Sequence, residues 1–97
     1  MFLKIHRSPE AGDVVAVCDY ELLNTTITNG DLKVTIYDSF YGTTRVDEAA
    51  VVEALRKGGN INLMGERSVA IAEKMGIISR ADCIMIGNVP HVQIYGF

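Results

Sequence analysis

Residues 47–59 carry every signal of a single helix, and their position between segments of a different period constrains the fold more than any other feature. Asp47 and Glu48 open the stretch, where a helix dipole favours negative charge, and Arg56 and Lys57 close it before Gly58-Gly59. Val51, Val52 and Leu55 share one face, while Glu53 stands four residues before Lys57 on the other. A helix with one apolar face needs a second layer to cover it, and the flanking segments supply strands.

Met1, Leu3 and Ile5 alternate with Phe2, Lys4 and His6, and the cluster Ser8-Pro9-Glu10-Ala11-Gly12 turns the chain into a second strand, Val14 to Cys18. Asp19 is placed to cap one helical turn through Leu23, and Asn24 to Gly30, rich in threonine, reads as a polar loop. From Leu32 to Tyr37 the residues Leu32, Val34 and Ile36 face one way and Lys33, Thr35 and Tyr37 the other, the pattern of a sheet covered on one side. A second helix begins between Asn62 and Glu66, runs through Met75 and stops at Gly76. Either Asn60 or Asn62 caps it with Gly65 inside, or Gly65 is itself the cap. Ser79-Arg80-Ala81-Asp82 reads as a capped turn, after which Cys83 to Ile86 and Val92 to Tyr95 flank Gly87-Asn88-Val89-Pro90 as a terminal hairpin. The expected fold is α+β: a two-layer sandwich, its sheet mainly antiparallel, with two central helices on one face and a C-terminal hairpin.

With 97 residues, 48% hydrophobic and 22% charged, the chain is long enough to bury one core, and residues 1–97 read as one domain. No apolar run reaches the roughly 18–20 residues that span a bilayer, and Met1-Phe2-Leu3-Lys4 lacks the pattern of a secretory signal. The expectation is a cytoplasmic protein. Cys18 and Cys83 have no metal-ligand spacing, so they read as buried reduced thiols, with a disulfide between them or a reactive thiol as the alternatives, and neither metal nor cofactor is expected. A formal charge of −3 gives no overall attraction for phosphate backbones, so nucleic-acid binding requires a local patch.

Four places put polar groups on special backbone. Lys4, His6 and Arg7, with Phe2, make a small basic and aromatic strand surface suited to single-stranded RNA; its plain alternative is a solvated strand face. Tyr41, in Ser39-Phe40-Tyr41-Gly42, either stacks on a ligand or lids the core edge. Glu66, Arg67 and Ser68 sit near a helix start, where free N–H groups favour an anion, but Glu66 is itself a carboxylate able to satisfy those donors. His91 and Gln93 share a strand face beside a proline-fixed turn, and His91 is the one candidate for acid/base catalysis, without an evident nucleophile or Asp partner in sequence.

Taken in order, Phe2-Leu3-Lys4-Ile5-His6-Arg7, Ser39-Phe40-Tyr41-Gly42, Gly65-Glu66-Arg67-Ser68-Val69-Ala70 and Gly87-Asn88-Val89-Pro90-His91-Val92-Gln93 resemble the archaeal family called domain of unknown function 424. The resemblance covers essentially the whole chain. It implies a cytoplasmic archaeal protein with a two-layer α/β sandwich and carries no activity or catalytic residue with it. From the residues, the leading expectation is a non-enzymatic module binding RNA or a ribonucleoprotein. The rivals are a small enzyme with His91 as general base and a protein–protein adaptor or oligomer, for which Gln93 to Phe97 supplies an edge or aromatic anchor.

Overall fold

Asp47 caps its helix as its position predicts, its Oδ1 accepting the Ala50 N–H at 2.9 Å, and the buried face beyond it is Val51, Ala54 and Leu55. The computed structural model describes residues 1–96. In chain order these form β1 (Phe2–His6), β2 (Val14–Cys18), a 3-10 turn at Tyr20–Leu22, β3 (Thr26–Asn29), β4 (Leu32–Thr35), α1 (Asp38–Tyr41) and α2 (Glu48–Arg56). There follow β5 (Asn60–Met64), α3 (Glu66–Lys74), a 3-10 turn at Arg80–Asp82, β6 (Ile84–Ile86) and β7 (Val89–Ile94). Five strands make one sheet in the order β1-β2-β5-β7-β6, and β3 and β4 pair as a separate hairpin. Only the β2–β5 pair in the larger sheet is parallel, so the sheet is mainly antiparallel.

Of the two starts left open for the second helix, the structure has the one at Gly65, and the alternative caps Asn60 and Asn62 lie in a strand instead. Residues 60–64 are a central strand, and Gly65, with φ 114°, is the N-cap of α3. Ile61 and Leu63 turn to the helices, paired with Val15 and Val17 on one side and with Ile94 and Val92 on the other. The segment Asn60-Ile61-Asn62-Leu63-Met64 is too short for its alternation to outweigh two asparagines that also suit a helix cap. The expected polar loop at 24–30 likewise contains β3, whose pairing with β4 runs from Thr26↔Thr35 to Asn29↔Leu32. Gly30 between them has φ 64° and Asp31 a negative φ, the conformation of a two-residue hairpin turn that opens on glycine. At the terminal hairpin the turn shortens to Gly87-Asn88, and Val89 and Pro90 already belong to the strand.

Two cores lie against the larger sheet. On one face Val15, Val17, Ile61, Leu63 and Val92 meet Val51 and Leu55 of α2 and Val69 and Ala72 of α3. Each fully buried aliphatic side chain there stabilises the fold by about 1.5–3 kcal/mol. The opposite face is covered as well: Ala16, Cys18 and Met64 pack with Ile36, Tyr41 and Ile86 beneath α1 and the β3–β4 hairpin. Cys18 is buried in this second core, whereas Cys83 is half-buried and packs against the first, so the sheet separates the two thiols. Burial, and then the neighbouring Asp19, push the Cys18 thiol up to about 12. No helix among the described residues is long and apolar enough to cross a membrane.

Gly65 is the tightest point of the assembly. A Cβ there would stand 2.4 Å from Asp19 Cγ, and its backbone lies where side chains are rarely tolerated. Gly65→Ala should therefore lower unfolding stability by about 3 kcal/mol, combining backbone strain with displacement of Asp19. Urea titration checks this, and a midpoint unchanged from the parent protein would show that the contact yields freely.

Candidate functional site

The start of α3 is occupied from within the protein. Asp19 Oδ2 accepts the Arg67 N–H at 2.9 Å, and Asp19 Oδ1 accepts both the Ser68 N–H and the Ser68 hydroxyl at 2.8 Å. Asp19 and Ser68 are buried, so this carboxylate fills the place an external anion would take. Glu66, expected to satisfy those donors, instead points outward and binds Arg80 through two hydrogen bonds of 2.6 and 2.9 Å, while Arg80 also reaches Glu73 at 3.1 Å. Arg67 pairs with Glu21. The motif Glu66-Arg67-Ser68 thus anchors the fold.

Lys4 and His6 project from β1 toward α1. Lys4 Nζ donates to the Ser39 carbonyl at 3.1 Å, His6 Nε2–H donates to the Phe40 carbonyl at 2.7 Å, and the His6 ring stacks on Phe40 with centroids 4.8 Å apart. These basic groups serve carbonyls left open by so short a helix. Arg7 is exposed and paired with Asp13 at 2.6 Å. Tyr41 is buried, and its hydroxyl donates to Asn62 Oδ1 at 2.6 Å; it is a core residue and offers no ring to a ligand. Burial raises its phenol above the usual range.

His91 is half-buried, its Nδ1–H donating to the Leu63 carbonyl at 2.9 Å, and its cross-strand neighbours are Met64 and Ile84. Gln93 is exposed and lies opposite Asn62. Lys4 and Gln93 stand in one row of the sheet, Lys4–Ala16–Asn62–Gln93, which puts three strand spacings, roughly 14 Å, between their backbones. The four polar places therefore do not meet in a single site.

What gathers instead is an exposed strip on the outer edge of β1. Residues 44–46 run antiparallel to β1, with the Leu3 N–H donating to the Thr44 carbonyl at 3.2 Å, the Val46 N–H to the Met1 carbonyl at 2.8 Å, and Phe2 bridged to Arg45. The Arg45 guanidinium lies 4.1 Å from the ring centre of Tyr20, and Tyr20 stands 6.5 Å from Phe2. Beside them opens a cavity of about 390 Å³ lined by Leu3, Lys4, Asp38, Gly42, Thr43 and Thr44. Gly42 lets the loop lie on β1, since a Cβ there would be 3.0 Å from that of Lys4. Neither Lys4 nor Arg45 has a carboxylate oxygen within 4 Å among the described residues. Tyr20, Thr43, Thr44 and Arg45 carry no local sequence signal, because only contacts between residues distant in the chain bring them to Phe2 and Lys4. Asp19 had none for this role either, since the amides it caps lie 48 and 49 residues further along the chain.

A five-stranded mixed sheet with two helices on one face and a short helix and hairpin on the other defines a small α+β class, here with a basic and aromatic edge. The structure of an uncharacterized conserved protein from Methanopyrus kandleri is similar to it, with a TM-score of 0.80 and 25% identity, over 97% of this chain and 89% of that one. The family described as a protein of unknown function, DUF424, matches residues 6–97, and the chain belongs to that family. No curated protein matches it.

Two outcomes follow for the α3 end. Asp19→Ala strands the buried Ser68 hydroxyl and uncaps α3, and should lower stability by about 2–3 kcal/mol in urea titration; a loss under about 0.5 kcal/mol would contradict the cap. Hydrogen bonds from Arg80 hold the Glu66 carboxyl below its ordinary 4.5, so the stability it contributes is full above that value and is lost as pH falls through the lowered one. Arg80→Met should remove that contribution, and the stability curves of the two proteins should converge in acid. Parallel curves would refute the linkage.

Proposed function

We propose that the protein is a non-enzymatic RNA-binding module of the archaeal cytoplasm, acting on single-stranded RNA alone or within a ribonucleoprotein through the outer edge of β1. The observation that carries this reading is the pairing of two cations free of carboxylates, Lys4 and Arg45, with two exposed or half-buried rings, Tyr20 and Phe2, on one strip. Single-stranded nucleic acid is bound by such pairings, with cations tracking phosphates and bases stacking on flat rings or guanidinium planes. Elsewhere Arg7, Arg67 and Arg80 are each committed to a carboxylate, and of the cations left without one, Arg45 is the one stacked on an aromatic ring among the described residues. Likeness to a Methanopyrus kandleri protein supports the archaeal setting. The general-base reading of His91 has weaker support, because Met64 and Ile84 flank it across the strands and its Nδ1–H is held by a main-chain carbonyl.

A second reading, contact with a protein, is favoured at the other end of the sheet, where Ile84 and Met85 on β6 are 60% and 53% exposed. Tyr95 beyond β7 is 73% exposed, and Phe97 of the expected aromatic anchor lies outside the described residues.

Titration of labelled single-stranded RNA at two salt concentrations tests the first reading. Two phosphate contacts predict a log–log salt slope of about −1.4, or roughly a sevenfold loss of affinity for a fourfold rise in salt. Removing Lys4 and Arg45 together should abolish most of that slope, and Tyr20→Ala should weaken binding about tenfold. No binding at low salt, or affinity indifferent to salt, would sink the proposal.

A further inference from the structure

The cavity beside β1 contains opposite charges that do not neutralise one another. Lys4 Nζ is positioned by its hydrogen bond to the Ser39 carbonyl at 3.1 Å. Asp38 opens α1 with its backbone N–H donated to Asn24 Oδ1 at 3.3 Å, while its carboxylate has no ion-pair partner within 4 Å among the described residues. Both line the same space of about 390 Å³, together with Thr43 and Thr44. That volume falls in the lower part of the range for small-ligand sites, about 300–1,000 Å³.

A pocket for phosphate alone gains nothing from a carboxylate in its wall, and a cation pocket gains nothing from an ammonium. A group that suits both presents an anion and a hydroxyl donor side by side. Ribonucleotides do so: the phosphodiester is the anion, and the 2′-hydroxyl is the donor that separates RNA from DNA. Resting on the RNA-binding reading of this edge, we infer that the Lys4–Asp38 cavity holds one nucleotide of the strand and selects ribose. Lys4 takes the phosphodiester, Asp38 accepts the 2′-hydroxyl, and the base lies toward Arg45 and Tyr20. Deoxyribose leaves the Asp38 carboxylate facing the phosphate with no donor between them, so like charges stand close without a hydrogen bond to offset them.

The test is fluorescence anisotropy of the full chain with labelled oligo-U and oligo-dU of equal length at low salt. The parent protein should bind the RNA about tenfold more tightly than the DNA. Asp38→Ala should bring the two affinities within about twofold, chiefly by strengthening DNA binding as the repulsion is lifted, and Asp38→Asn, which keeps a weaker acceptor, should fall between. Lys4→Ala should weaken both oligomers and leave their ratio unchanged. A free 5′-uridine monophosphate should compete only at concentrations at least about a hundredfold above the oligomer, since it forgoes the contact at Arg45. Equal potency of the mononucleotide would reassign the cavity to a small metabolite and overturn the inference. Binding of both oligomers with no ribose preference, or a preference that survives Asp38→Ala, would overturn it while leaving RNA binding intact. Failure of both oligomers to bind would overturn the RNA reading and this inference together.

Discussion

One buried carboxylate ties the two central strands to a helix, and much of the architecture depends on it. The β2–β5 pair is parallel with Cys18 opposite Met64, so the residue after each strand, Asp19 and Gly65, arrives at the same level of the sheet. The Asp19 N–H donates to the Met64 carbonyl at 3.0 Å, continuing the ladder by one bond, and the Asp19 side chain then passes over Gly65 to the first amides of α3. A capping side chain ordinarily contributes about 0.5–2 kcal/mol, and Asp19, which caps α3 from outside the helix, also satisfies a buried hydroxyl. Glycine at position 65 follows from the same geometry, since any Cβ would occupy the space the carboxylate needs. A helix start that looks like an anion site is thus closed by its own protein.

That closure, repeated in other forms, decides where a ligand has room. Lys4 and His6 hold α1 through its carbonyls, Tyr41 is fastened to Asn62, and three of the five arginines are paired with carboxylates. Exposed pairs contribute only about 0–1 kcal/mol each, so their main effect is to cancel charge locally. With the helices covering one face of the sheet and α1 and the β3–β4 hairpin covering part of the other, the β1 edge is left as the place where uncancelled cations and aromatic rings coincide. Lys4 belongs to both lists. Its hydrogen bond to Ser39 positions the ammonium of this cavity-lining residue without cancelling its charge.

The parts of this arrangement legible in the sequence are those set by neighbours along the chain. The charges and glycines around α2, the alternation in β1, and Ser79 capping its own turn in partnership with Asp82 are local devices, and each stands where its pattern put it. Residues 60–64 were hard to read because Asn60 and Asn62 look like helix caps until β2 and β7 are known to flank them. The candidate site divides in the same way. Lys4 and Phe2 could be read from β1, while Tyr20 and Arg45 reach them only through the turn after β2 and the strip at 44–46. Of the two readings of Tyr41, the lid on the core edge is the one the structure shows, with Asn62 as the partner of its hydroxyl.

The size of the strip bears on how such a module would work. Two phosphate contacts and one stacking platform, the latter contributing about 1–3 kcal/mol, leave little after the entropy of ordering a flexible strand, and affinity in the range of about 10⁻⁴ M is what that sum sustains. A protein with a net charge of −3 gains no help from long-range attraction. Weak contact of this kind becomes useful when a second surface holds the protein near its RNA, because tethering turns the encounter into an intramolecular one at an effective concentration near millimolar. The exposed Ile84 and Met85 lie across the sheet from Lys4, on the strand farthest from β1. Under the proposed reading, an edge that touches RNA and an opposite edge that touches protein would not compete for space, and that separation would favour a ribonucleoprotein over free RNA.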